Sequence, residues 1–191
     1  KIGLVGWNGA GKSTFVKILM NMIESDKGSV TIWPSHLKIG YLQQSTDYTL
    51  AIDYELFNDG EKLMETRKKL GLPKDRLEKE EFQYLSGGEK LKLYLAKIWA
   101  NSPEFLILDE PTNHLDMQGV NWLIEEVRNY SGAAVIISHD RYFLERVCNE
   151  IIELDHGKLF RYKGNYSYFL QKKEERIVLE KVTVDKAKNL F

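Results

Sequence analysis

The chain has a single cysteine, Cys148, among 191 residues. That excludes an internal disulfide framework and a metal site built from several thiolates, and it fits a reducing setting. No apolar run approaches the roughly 18 residues needed to span a bilayer, so membrane insertion is not expected. No apolar leader core follows Lys1, so nothing in the sequence signals export, and a cytoplasmic location is expected. There is no internal repeat and no low-complexity tract. From Tyr168 onward neither proline nor glycine interrupts a charge-rich stretch, which predicts one long helix to the end. There is also no initiator methionine. Lys1 leads directly into Ile2-Gly3-Leu4-Val5, so the sequence reads as a fragment trimmed just before a central strand.

What is present describes a core-forming chain. Hydrophobic residues make up 43% and charged residues 29%, a balance that excludes wholesale disorder. The net charge of −1 hides an asymmetry. Residues 158–191 carry 9 basic and 4 acidic side chains, while residues 1–157 carry 18 basic and 24 acidic ones. A basic end on an acidic body fits either a solvated helix or a polyanionic partner.

Apolar runs and their spacing predict alternating strands and helices. Residues 2–5 read as a buried strand entering a glycine-rich turn. A helix is expected over residues 12–22, with Phe15, Ile18, Leu19 and Met22 on one face. Strands are expected at residues 29–33 and 38–42, the first leaving an unpaired, aggregation-prone sheet edge. Residues 50–84 are charged and poor in β-branched residues, which predicts a small helical subdomain, placed within about residues 48–100. Further helices are expected near residues 89–100, around Val120, Leu123, Ile124 and Val127, and over residues 141–147. Residues 105–108 and 133–137 read as short buried strands, and Asp155-His156-Gly157-Lys158 as a hairpin turn. The alternation predicts an α/β fold with a mainly parallel sheet.

Two motifs in this frame carry chemistry. Gly6-Trp7-Asn8-Gly9-Ala10-Gly11-Lys12-Ser13 fits G-x-x-x-x-G-K-[ST], the P-loop pattern, between a strand and a helix. Glycines let backbone N–H groups from Asn8 through Thr14 curl around phosphate oxygens, and the helix N-terminus adds its dipole. Lys12 offers a point charge to the outer phosphates, and the Ser13 hydroxyl suits Mg²⁺. The second motif is Asp109-Glu110, after the apolar run 105–108. In an open α/β sheet, ligands gather at strand carboxyl ends. Asp109 there suits the metal, and Glu110 suits orienting or deprotonating a water.

With Leu85-Ser86-Gly87-Gly88-Glu89 ahead of them, these motifs make the chain resemble the ATP-binding cassette superfamily. The resemblance implies a P-loop nucleoside triphosphatase that binds ATP and Mg²⁺ and hydrolyses ATP. It implies that Ser86, Gly87 and Gly88 face nucleotide held by a second cassette. It aligns Gln44 with a metal and water contact, with Gln43 as the fallback. It aligns Asp116 of Asn113-His114-Leu115-Asp116 with the acid of a dimer-contact loop. It makes His139 of Ser138-His139-Asp140-Arg141 a switch histidine on the terminal phosphate. Within the superfamily, Glu110-Pro111-Thr112-Asn113-His114-Leu115-Asp116 and Gly164-Asn165-Tyr166-Ser167-Tyr168-Phe169 look most like the ABC-F group of soluble, twin-cassette, ribosome-associated ATPases. The resemblance implies a cassette over residues 1–165 and the start of an inter-cassette linker over residues 166–191. It implies ribosome or tRNA as partner, with translation or antibiotic protection as the role. The rival reading is the nucleotide-binding subunit of a membrane transporter.

Two features depart from the pattern. Lys92 stands where the family often has arginine, and the strands that usually precede Lys1 and carry an adenine-stacking aromatic are absent, so no residue is assigned to the base. Phe160, Tyr162, Tyr166, Tyr168 and Phe169, interleaved with Lys158, Arg161, Lys163, Lys172 and Lys173, suit either RNA stacking or hairpin packing.

Overall fold

The structure, a computed structural model, describes residues 1–44 and 86–188, with side chains described as far as Lys181. The helical subdomain expected within residues 50–84 lies outside the described residues.

Six strands form one sheet in the order β2-β3-β4-β1-β5-β6. They are β1 (Ile2–Gly6), β2 (Ile39–Leu42), β3 (Phe105–Asp109), β4 (Ala133–Ile137), β5 (Glu150–Asp155) and β6 (Lys158–Tyr162). The first five run parallel, and β6 returns antiparallel to β5. The β5–β6 turn is the expected hairpin. Its two central residues, His156 and Gly157, have φ of 48° and 73°, the left-handed pair that a two-residue hairpin loop requires. The expected α/β fold with a mainly parallel sheet is therefore found.

Helices cover both faces, which is why the central strands read as continuous apolar runs rather than alternating ones. Helix α1 (Lys12–Leu19) lies on one face, where Val16 meets Leu4, Ile107, Ile137 and Leu154. Helices α2 (Gly87–Ala100), α3 (Met117–Asn129) and α4 (Arg141–Val147) contribute to the larger core with Val5, Leu106, Leu108 and Ile136. The strand period of two sends neighbours Leu4 and Val5, or Ile136 and Ile137, to opposite cores. Four helices start at side-chain caps; ahead of the last one, Asn165 Oδ1 accepts from the Tyr168 N–H at 3.1 Å. Ser86 forms a capping box with Glu89, Asp116 Oδ1 accepts from Gly119 N–H at 2.7 Å, and Asp140 Oδ1 accepts from Phe143 N–H at 3.0 Å. The last helix, α5 (Tyr166–Lys188), is the expected long one. Among the described residues no helix is long and apolar enough to cross a membrane.

Two expectations need correction. Helix α1 ends at Leu19 rather than near Met22. Asn21 adopts φ 54°, and the N–H groups of Asn21 and Met22 bond back to Ile18 and Lys17, a Schellman termination. Met22 therefore lies past the helix and is exposed, while Val16, absent from the predicted face, is the fully buried position. Residues 29–33 form no strand. Val30 and Ile32 are half-buried between exposed neighbours, so the alternation is present, but no ladder partner lies beside it among the described residues. The sheet edge expected there is therefore not found; among the described residues the sheet ends on that side at β2. Of the two readings of the late aromatics, Tyr162 and Phe169 take the packing one. Both belong to the core, and their rings meet edge to face with centroids 5.1 Å apart.

Candidate functional site

Parallel pairing puts the carboxyl ends of β2, β3, β4 and β1 along one edge of the sheet, and each is followed by a segment singled out in the sequence. The glycine-rich loop follows β1, Gln44 follows β2, Asp109 and Glu110 end β3, and His139 follows β4. The pairs Leu42 with Leu108, Asp109 with Ile137, and Leu4 with Ile137 set these ends level. A cavity of about 320 Å³ opens there. Asn8, Gly9, Gly11, Lys12, Ser13, Thr14, Gln44, Asp109, Glu110 and His139 all line it. Ala10 instead packs against the smaller core, and Gln43 is not part of the lining.

The loop's shape depends on its glycines. Gly9 and Gly11 have φ of 81° and 100°, and Gly11 occupies the N-cap position of α1. A Cβ on Gly6 would stand 2.5 Å from the Leu154 carbonyl oxygen on β5, so only glycine lets the chain leave the sheet there. Lys12 is 8% exposed, and its Nζ donates to the carbonyls of Gly6 at 2.8 Å and Trp7 at 3.1 Å. The ammonium is thus held across the loop by neutral acceptors that an anion can replace.

The acids are buried and close to the loop. Ser13 Oγ donates to Asp109 Oδ2 at 3.1 Å, while Asp109 Oδ1 is buried with no hydrogen-bond partner among the described residues. Burial raises the Asp109 carboxyl above its ordinary range, against the pull of the Ser13 hydrogen bond and the Lys12 and Lys17 charges. Glu110 sits at φ 52°, in the left-handed region, fixed by its N–H to the Ile137 carbonyl at 2.8 Å. Its Oε2 accepts from the His139 backbone N–H at 3.2 Å, and its Oε1 lies 3.5 Å from His139 Nε2. Burial raises Glu110 as well, with Asp109 adding to the shift and His139 and Lys12 opposing it.

Four predicted residues lie elsewhere. Ser86, Gly87, Gly88 and Asp116 do not line the cavity. Gly87 and Gly88 lie against His114, where added Cβ atoms would stand 3.2 Å from its Cβ and 3.1 Å from its carbonyl oxygen. The Asp116 carboxylate is engaged as the α3 cap. Lys92 lies 5.7 Å from the Trp122 ring centroid, a contact with the α3 surface rather than with the cavity. Sequence reasoning missed Tyr41. Its hydroxyl is buried without a partner among the described residues, and its pKa is raised, first by burial and then by the Asp109 charge. Strand alternation was the available signal: it turns Tyr41 away from the side that buries Leu42.

The ABC transporter family profile matches residues 1–113, and a second profile of the same description matches residues 152–189. Among curated proteins, the ATP-binding protein Uup of Buchnera aphidicola subsp. Schizaphis graminum is 36% identical over 192 residues, covering 95% of this chain and 32% of its own length. The energy-dependent translational throttle protein EttA of Mycobacterium tuberculosis is 33% identical over 224 residues, covering 94% of this chain and 40% of its own. The ribosome protection protein VmlR of Bacillus subtilis is 34% identical over 190 residues, covering 99% of this chain and 32% of its own. The chain therefore spans 32% to 40% of the length of these relatives. Among solved structures, a metal-chelate type ABC transporter in an inward-facing conformation matches with a TM-score of 0.64 at 20% identity, over 85% of this chain and 72% of that one, which establishes a shared fold.

Proposed function

This chain belongs to the ABC transporter family of ATP-binding domains, and on that premise we propose that it is the ATP-hydrolysing cassette of an ABC-F protein acting at the ribosome. The observation that carries the catalytic reading is the single cavity where Lys12, Ser13, Gln44, Asp109, Glu110 and His139 converge from four strand ends. The loop amides from Asn8 to Thr14 bind the phosphates, with Lys12 turning from its carbonyl partners to the outer ones. The orphaned Asp109 Oδ1, beside the Ser13 hydroxyl, fits a hard cation with oxygen ligands, so Ser13, Asp109 and Gln44 would hold Mg²⁺. When bound, Mg²⁺ supplies charge neutralisation at the phosphate oxygens.

Glu110 orients the attacking water and accepts its proton. Its raised pKa makes it a stronger base than an exposed carboxylate, and the left-handed backbone fixes its direction. His139 steadies the charge that develops on the terminal phosphate, and its backbone N–H keeps the Glu110 carboxylate in place. Ser86, Gly87 and Gly88, which do not line this cavity, serve nucleotide on a second cassette, with Asp116 at the contact between the two. Hydrolysis then needs two cassettes.

The ribosome reading draws on the relatives named for translation and ribosome protection. The relevant setting is the cytoplasm, and antibiotic protection is one form the role takes. The alternative, an ATP-binding subunit of a membrane transporter, uses the same cavity.

Phosphate release, measured against protein concentration, tests the composite site. Activity per cassette rises with concentration if two cassettes meet, and constant activity per cassette overturns that part. Co-sedimentation with ribosomes at low salt, with a non-hydrolysable ATP analogue, tests the partner. No association removes the ribosome reading and leaves the transporter one.

A further inference from the structure

Outside the phosphate cavity, the densest cluster of buried charge lies where α5 meets the sheet. Glu153 on β5 is 1% exposed. Its carboxylate accepts from Lys173 Nζ, from Arg176 Nη2 at 2.8 Å and from the Tyr162 hydroxyl at 3.3 Å. Lys173 and Arg176 stand three residues apart on one face of α5. In the β1–β5 register Glu153 lies opposite Val5 and Leu154 opposite Gly6. The clamp is thus fixed one residue from the point where β1 ends and the phosphate loop begins.

Lys173 also reaches that loop. Its Nζ lies 5.9 Å from the ring centroid of Trp7. Trp7 occupies a position the phosphate-binding motif leaves open, it is 70% exposed, and it does not line the phosphate cavity. It borders a neighbouring cavity of about 520 Å³ whose walls include His139, Arg141, Glu153, Phe169 and Lys173. The Trp7 carbonyl, however, accepts from Lys12 Nζ at 3.1 Å. When Lys12 turns to a phosphate, that carbonyl loses one of two donors and keeps the Ala10 N–H at 3.0 Å, so Trp7 stays tied to the loop with its indole beside Lys173.

We propose that Lys173 is a positioning residue for phosphate binding: anchored by Glu153, it ties Trp7, and so the start of the phosphate loop, to the first turns of α5. This rests on the loop binding ATP and extends that reading to the helix that responds to it. Linkage is reciprocal, so a helix that alters loop affinity is itself altered by nucleotide.

The test is a double-mutant cycle on the whole protein, read by calorimetric titration with Mg²⁺ and a non-hydrolysable ATP analogue and by amide exchange over residues 166–176. Trp7→Leu and Lys173→Met each weaken affinity about threefold, the scale of one partly exposed cation–aromatic contact. The double variant is no weaker than the worse single, and Lys173→Arg keeps most of the wild-type affinity. The analogue slows exchange in α5 of the wild type and not of either single variant. Multiplying losses in the double variant, or α5 exchange indifferent to the analogue, overturns the proposal. Should Lys173→Met fail to fold because Glu153 loses a cation, Trp7→Leu leaves the clamp intact and its affinity and α5 exchange decide alone. Absence of binding by the wild type overturns the nucleotide reading and this proposal together, whereas wild-type binding unchanged in Trp7→Leu overturns this proposal only.

Discussion

The Ser13 hydroxyl lies 3.1 Å from Oδ2 of Asp109, joining the phosphate loop to the end of β3 across 96 positions of sequence. The second carboxylate oxygen is buried and has no partner among the described residues. A buried acceptor without a donor costs free energy, and a cation supplies what it lacks. In Asp109→Asn the Ser13 hydrogen bond keeps an acceptor, but the site loses its negative charge. Wild-type affinity for ATP rises when Mg²⁺ replaces EDTA. In Asp109→Asn that gain shrinks by about tenfold or more, the scale of losing a metal-site partner. Titration with and without Mg²⁺ checks this, and an equal gain in both proteins removes Asp109 from the metal.

Much of this geometry was legible because parallel strands turn sequence order into spatial order. Once residues 2–5, 105–108 and 133–137 were read as strands, Lys12, Asp109, Glu110 and His139 had to fall along one edge. Short-range signals decided less well where termination or pairing ruled. The apolar spacing continued to Met22, but a left-handed Asn21 ended the helix three residues sooner, at Leu19. The alternation at residues 29–33 could not reveal that, among the described residues, no ladder partner lies beside it. The aromatic and basic run after Lys158 carried two readings. Packing chose the inward one for Tyr162 and Phe169, because a hairpin folding back on α5 buries its own rings.

The two buried acids also set a pH dependence. Burial raises both carboxyls above their ordinary values. Between the ordinary value of about 4 and the raised native values, the folded protein holds protons that the unfolded chain has released. Stability therefore falls as pH rises through that window. The nucleotide-free double variant Asp109→Asn, Glu110→Gln lacks this contribution. It melts higher than wild type at pH 7–8, and the gap closes toward pH 4. Comparing the two proteins cancels carboxylates elsewhere, such as Glu150, which the Arg161 hydrogen bond holds low. Thermal melts across pH check this, and a gap constant with pH refutes it.

Glu110→Gln separates binding from chemistry. Glutamine keeps an acceptor for the His139 N–H and preserves the shape of the site, yet it cannot take a proton. ATP affinity stays within a few-fold of wild type, while phosphate release slows by roughly 10²–10⁴-fold. His139→Ala removes the side chain 3.5 Å from Oε1 but leaves the backbone donor, so it lowers turnover without freeing Glu110 from its place. Phosphate-release and titration measurements on both variants check the division. Unchanged turnover in Glu110→Gln would remove Glu110 from its role.

The Glu153 clamp makes a prediction about stability. Removing one member of a buried ion group leaves the others uncompensated, a loss on the order of 3–5 kcal/mol when burial is complete. Here the cations have some escape. The Lys173 side chain is 25% exposed, and Arg176 keeps Asp155 at 3.3 Å and Glu180 at 3.8 Å. Glu153→Leu therefore costs about 3 kcal/mol, the low end of that range, or a fall of roughly 6–12 °C in Tm for a chain of this size. Glu153→Gln costs less, because the amide oxygen still accepts from Arg176 and Tyr162. Arg176 also lies over the Phe160 ring at 3.7 Å, so α5 stays docked and the loss appears in melting temperature rather than in helix content. If the pair is coupled, Lys173→Met destabilises the wild type but is nearly neutral in Glu153→Leu, where its partner has gone. Denaturant unfolding of the four proteins measures this, and an equal cost in both backgrounds would show that Glu153 and Lys173 act independently.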